Sequence, residues 1–205
     1  MVSSVRVAPS INIKLYIMLA LVLFFVIGCC GAVLLGRLSD IVDYLLYVDK
    51  KTGLPNREKL NIYIGEMAGK VLPEAFTCFT LNLDNLSELT KRFGYTVGDG
   101  VLKDFAGLIQ LMGDTEGMRG YNGVGRFVVF FEECSSKKAA AMIRILDNQV
   151  EEYNSLNPEY PIRYTAAWAT TEETDTYEIR ELLRLSQKKW KQMEKEKKDK
   201  TEEET

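Results

Sequence analysis

The chain has 205 residues, 46% of them hydrophobic and 27% charged, which is enough for one domain of ordinary size plus an appendage. Lysine and arginine number 26 against 29 acidic residues, and a net charge of -3 leaves no global field for gripping nucleic acid. The absence of histidine excludes histidine triads, histidine metal sites and imidazole switches, and the four cysteines show neither a zinc spacing nor a secreted disulfide framework.

After a short N-terminal segment, 1–14, residues 15–35 form a run of 21 positions without a charge. A helix of that length is about 31 Å long, enough to cross a hydrocarbon core of about 30 Å. The run predicts a transmembrane helix over 15–36. A cleaved signal peptide is the alternative, because Arg6 and Lys14 precede the run and Val26-Ile27-Gly28-Cys29 resembles a lipoprotein processing site. Ala32, Val33, Leu34 and Leu35 continue the run beyond what a signal core needs, which favours a retained anchor. Arg37, Lys50 and Lys51 after the span outnumber Arg6 and Lys14 before it, the bias of a cytoplasmic C-terminal part.

A connecting helix is expected over 37–50. In it Leu38, Ile41, Leu45 and Val48 follow one another at steps of three, four and three. That seam suits a parallel homodimer, or packing of the helix on its own domain. Thr52-Gly53-Leu54-Pro55-Asn56 then supplies a break, and Leu60, Tyr63, Ile64 and Met67 mark a helix. Residues 76–84 read as a buried strand and 86–92 as a short helix. Val101, Leu102, Phe105, Leu108, Ile109 and Met112 line the next helix, with Asp99 at its expected N-cap. Two strands, 118–121 and 127–131, are joined across Asn122-Gly123-Val124-Gly125, where the Asn-Gly pair signals a hairpin. Ser135 and Ser136 are placed to cap a helix with Ala139, Met142, Ile143, Leu146 and Val150 on its inner face. Residues 162–170 form another strand, and Leu182, Leu183, Leu185 and Trp190 belong to a last helix. It enters a charged tail, 193–205. Seven lysines and six acidic residues after 187 read as a solvated helix end. Strand, helix, hairpin, helix, strand over 51–192 is the ferredoxin-like split βαβ plan, an α+β fold with helices flanking the sheet, here preceded by one transmembrane helix.

Within that plan Asp49-Lys50-Lys51-Thr52-Gly53-Leu54-Pro55-Asn56-Arg57 resembles the opening DxLTGLPNR of the GGDEF domain, the diguanylate cyclase family, with Lys51 in place of its leucine. Leu81-Asn82-Leu83-Asp84-Asn85-Leu86 is similar to the family's DxDxF, Gly94 with Gly98-Asp99 to its GH and GD pairs, and Gly123-Val124-Gly125-Arg126-Phe127 to GGDEF itself. The four blocks occur in the family's order, which makes the resemblance specific.

The resemblance implies condensation of two GTP molecules into cyclic di-GMP, with carboxylates holding divalent metal beside the triphosphate. At the metal-ligand positions, however, stand Asn82, Gly125 and Arg126, so no catalytic or metal residue is assigned and no cofactor is expected. Asp84 is the one carboxylate left near the site. Glu132 and Glu133 lie too far along the strand, more than about 20 Å from Gly125. Asp84, Asp99 and Arg126 remain as residual nucleotide contacts. For Asp99 the alternative is the helix cap, and for Arg126 an exposed turn arginine. Thr90 stands where the family reads guanine with a carboxamide, and Glu194, or Lys195 with a slip of one, where it holds phosphate. The inhibitory RxxD site would fall on Asp114 and Gly117, with Arg119 nearby, and is not formed.

The reading is therefore an inactive, membrane-anchored GGDEF-like domain serving as a protein-interaction or regulatory module at the inner face of a bacterial membrane. Inactive relatives point to polysaccharide synthesis or export as the setting. The alternatives are a nucleotide sensor, for GTP or cyclic di-GMP, and a residual cyclase using Asp84 and Asp99.

Overall fold

The computed structural model describes residues 13–113 and 117–203, and the chain divides into two units, Met1–Leu45 and Leu46–Thr205. Helix α1, Ile13–Tyr47, has 35 residues and measures about 52 Å. From Leu15 to Leu35 it is apolar around its circumference, and Phe24 and Phe25 are 79% and 71% exposed. By length and composition it is able to cross a membrane. The expected span and connecting helix are thus one helix. Val48 falls past its end, in a bridge to Pro55, so Leu38, Ile41 and Leu45 are the seam residues that α1 carries. The expected N-terminal segment lies outside the described residues up to position 12.

In the second unit the Thr52–Asn56 break is a hydrogen-bonded turn. Asp49 Oδ1 accepts from the backbone N–H groups of Lys51 and Thr52 and from the Thr52 hydroxyl. Asn56 then caps α2, Arg57–Met67, by accepting from the Lys59 N–H. There follow β1 (Thr77–Leu83), α3 (Leu86–Phe93), α4 (Tyr95–Gln110), β2 (Gly117–Gly123), β3 (Arg126–Phe131), α5 (Ser136–Leu156), β4 (Tyr164–Thr170), one turn of helix α6 (Thr171–Thr174) and α7 (Ile179–Glu203). The sheet order is β2-β3-β1-β4 with every neighbouring pair antiparallel. With β3 inserted between β1 and β2, this is the split βαβ plan that the order of elements predicts.

Alternation along the strands decides what each face holds. Phe79, Leu81, Leu83, Phe127, Val129 and Phe131 pack against α3, α4 and α5 in the larger core. Cys78, Val128, Phe130 and Ala169 face Leu60 of α2 and Ile179 and Leu182 of α7 in the smaller one. Burial pushes the Cys78 thiol up to about 12, and its Sγ lies beside the Ser186 hydroxyl, which also bonds Thr80.

Two local expectations are corrected. The strands join within 122–125 as expected, but the tip is Val124-Gly125 and not the Asn-Gly pair: Gly123 pairs with Arg126, Tyr121 pairs with Phe127, and Asn122 is the extra residue of a bulge. A two-residue turn at Asn122-Gly123 would pair Phe127 with Met118 in place of Tyr121, an odd shift that changes which β2 side chains face the core, and a half-buried sheet resists that change. The helix expected to be capped by Asp99, α4, also starts earlier, at Tyr95. Gly94, at φ +90°, both ends α3 and opens α4. The two helices pack closely at Gly98, where a Cβ would come 2.3 Å from Thr90 Oγ1.

The observed turn places Val124, a β-branched residue, at φ +52° with 81% exposure. Left-handed backbone costs such a residue about 1–2 kcal/mol. Val124→Gly is expected to raise stability by about 1 kcal/mol, read as a higher thermal midpoint. An unchanged midpoint would show that the tip stores no strain.

Candidate functional site

On the α7 face of the sheet, Arg126 of β3, Asn82 of β1 and Thr165 of β4 form one cross-strand row. They alternate with Phe127, Leu81 and Ala166, whose burial on the opposite face sets the row's orientation. Over the row passes α7, presenting Trp190, Glu194 and Lys197 at helical steps of four and three. Trp190 and Glu194, with Asn82, Asp84, Ser87 and Arg126 among the other lining residues, enclose a cleft of about 310 Å³.

The polar contacts centre on Asp84, whose side chain is 30% exposed. Its Oδ1 accepts from Asn82 Nδ2 at 2.9 Å, and its Oδ2 accepts from the Thr165 hydroxyl at 2.7 Å. The Lys197 ammonium stands 3.6 Å from Oδ2 and donates to the Tyr164 carbonyl at 2.9 Å and to Thr165 Oγ1 at 2.7 Å. Arg126 sits 6.0 Å over the Trp190 ring, and the indole is buried with no hydrogen-bond partner on Nε1. Gly125, at φ +75°, accepts the Leu83 N–H at 2.9 Å. A Cβ there would come 3.1 Å from the Leu83 carbonyl, so an acidic residue at this position requires the hairpin to shift.

Of the residues singled out in the sequence, Asn82, Asp84, Gly125, Arg126 and Glu194 come together at this end of the sheet. Asp99 does not. It lies inside α4 and accepts from Lys51 Nζ at 2.8 Å, and the Asp99 carboxylate raises the pKa of Lys51 above the usual lysine value. Thr90 spends its hydroxyl on the Leu86 carbonyl at 2.8 Å. Lys195 is exposed. Glu132 and Glu133 follow the far end of β3. Arg119 donates to the Met112 carbonyl at 2.7 Å and lies 4.6 Å over the Phe131 ring, and burial lowers its pKa. Asp114 lies outside the described residues. Sequence reasoning missed Lys197 and the place of Trp190. Their spacing with Glu194 was the available signal, hidden because the charge-rich tail read as a solvated end.

No curated protein matches the sequence. Among solved structures, the chain is similar to the coiled coil and GGDEF domain of DgcB from Caulobacter crescentus, in complex with c-di-GMP, at 16% identity and a TM-score of 0.59, covering 73% of this chain and 82% of that one. A diguanylate cyclase/phosphodiesterase from Caldicellulosiruptor saccharolyticus has 19% identity and a TM-score of 0.57, with coverage of 74% and 91%. The S helix-GGDEF-EAL chain of Vibrio cholerae LapD, bound to c-di-GMP, has 13% identity and a TM-score of 0.55 over 66% of this chain. This chain spans 31% of the LapD chain. At these identities the structures speak to the fold. The sequence itself matches the family described as diguanylate cyclase, GGDEF domain, over residues 46–200, and with most of its length inside that match the chain belongs to the GGDEF family.

Proposed function

We propose that this protein is a catalytically inactive GGDEF domain, anchored by α1 in a bacterial inner membrane with the domain in the cytoplasm, and acting as a protein-interaction or regulatory module. The observation that carries the reading is Asp84. It is the strand-end carboxylate that remains beside the family's metal-ligand positions, which hold Asn82, Gly125 and Arg126, and both its oxygens already accept hydrogen bonds from Asn82 and Thr165. A magnesium ion needs hard, anionic oxygens in near-octahedral array. Here it would meet an amide that donates, an arginine and a lysine, and the residues do not fit it. Among the described residues no three cysteine or acidic side chains gather as a ligand set. What is kept supports partner binding: a packed domain on a membrane helix, with Leu38, Ile41 and Leu45 exposed for a second copy. A membrane protein of polysaccharide synthesis or export is the further partner class proposed.

Full-length protein in membranes, given GTP with magnesium or manganese, is expected to make no cyclic di-GMP above background, and sealed right-side-out vesicles to shield the domain from trypsin. Turnover that disappears with Asp84→Ala would sink the inactive reading, and digestion from outside would sink the topology. The cleft beside Arg126 and Trp190 supports a second reading, a nucleotide sensor without turnover, for the solved DgcB and LapD chains hold c-di-GMP. Calorimetry with GTP and cyclic di-GMP at tens of micromolar separates the two. A flat trace keeps the first, and a saturable isotherm weakened by Arg126→Ala favours the second.

A further inference from the structure

We infer that Lys197 is a resident cation, its ammonium supplying at this end of the sheet the positive charge that a divalent metal supplies among carboxylates. The inference goes beyond the inactive reading, which concerns turnover and would survive its failure. Residues 82 and 84 are two apart on β1 and its continuation, so their side chains share a face. Two carboxylates there would repel and call for a cation between them. With Asn82 the repulsion becomes a hydrogen bond, 2.9 Å from amide to Asp84 Oδ1. Of that pair of positions the negative charge on Asp84 remains, and the Lys197 ammonium faces it at 3.6 Å.

The contact differs from a casual surface pair because a third group relays it. Thr165 Oγ1 accepts from Lys197 at 2.7 Å, so its single hydrogen is directed to Asp84 Oδ2, also at 2.7 Å. Lys197 is held in turn by the Tyr164 carbonyl at 2.9 Å. A metal ion approaching Asp84 has to break bonds on both carboxylate oxygens and come close to an ammonium, and like charges at that range repel.

The test uses full-length protein in detergent with Mn²⁺ as the probe, bound ion being read as loss of the free-ion paramagnetic resonance signal. Wild type is expected to leave the signal unchanged. Asn82→Asp alone restores a second carboxylate but keeps the lysine. Asn82→Asp combined with Lys197→Ala is expected to bind Mn²⁺ about tenfold or more tightly than Asn82→Asp alone. Should that variant fail to fold by tryptophan fluorescence, Asn82→Asp with Lys197→Met keeps the apolar stem and takes its place. Equal affinity with and without Lys197, Mn²⁺ binding by wild type at this row, or no binding by either folded double variant each overturns the inference. None of these readouts involves cyclic di-GMP, so they fail or succeed separately from the turnover assay.

Discussion

Replacing Phe127 by alanine is expected to lower the thermal midpoint of the GGDEF domain by about 10 °C, the equivalent of about 3–5 kcal/mol. The ring is fully buried, packs edge-on to Phe105 at 5.4 Å and 86°, and lies 5.1 Å from the Tyr121 ring. It is also the residue through which β3 pairs with both Leu81 and Tyr121. Its loss opens a cavity between sheet and α4 and loosens the hairpin that carries Val124, Gly125 and Arg126. Since a domain of this size is stable by only about 5–15 kcal/mol, the change takes a large share of the total. Both tryptophans, Trp168 and Trp190, lie in this unit, so their fluorescence reports its unfolding without a contribution from α1. A shift under about 2 °C would mean that the neighbouring rings close over the gap and that Phe127 does not hold the register.

The second large effect concerns assembly. Ile41→Asp together with Leu45→Asp is expected to abolish dimer crosslinking of the full-length protein in membranes. The two residues are four apart on α1 and each is 55% exposed, so they share a face that nothing in its own unit covers. Closing a seam over these positions would desolvate two carboxylates from each chain, at several kcal/mol apiece, far above what a short apolar seam supplies. Val42→Asp, one step off the seam and 49% exposed in the single chain, is the control that keeps the crosslink. Crosslinking that survives the double change would place the contact elsewhere and refute the seam.

Much of the fold was legible because its signals are local. The uncharged run marked α1, the apolar spacing marked the helices, and Ser135 capped α5 as expected by accepting from the Lys138 N–H. The GGDEF-like blocks located Asn82, Asp84, Gly125 and Arg126, and the strand register brings them to one end of the sheet. Where a local rule failed, packing outweighed it. Asp99 had the right chemistry for an N-cap, but α4 begins at Tyr95 because Gly94 turns the chain and Gly98 lets α4 approach Thr90.

The sequence by itself determined the order of elements and the faces they bury, since periodicity and residue identity depend on each segment's near neighbours. Which polar group meets which was decided only by the tertiary structure. Lys51 finds Asp99 across 48 positions, and Lys197 finds Thr165 across 32. No spacing rule joins such pairs. They meet because core packing sets the sheet register and lays α7 along one face of it, and the polar groups then bond with whatever that packing brings within about 3 Å.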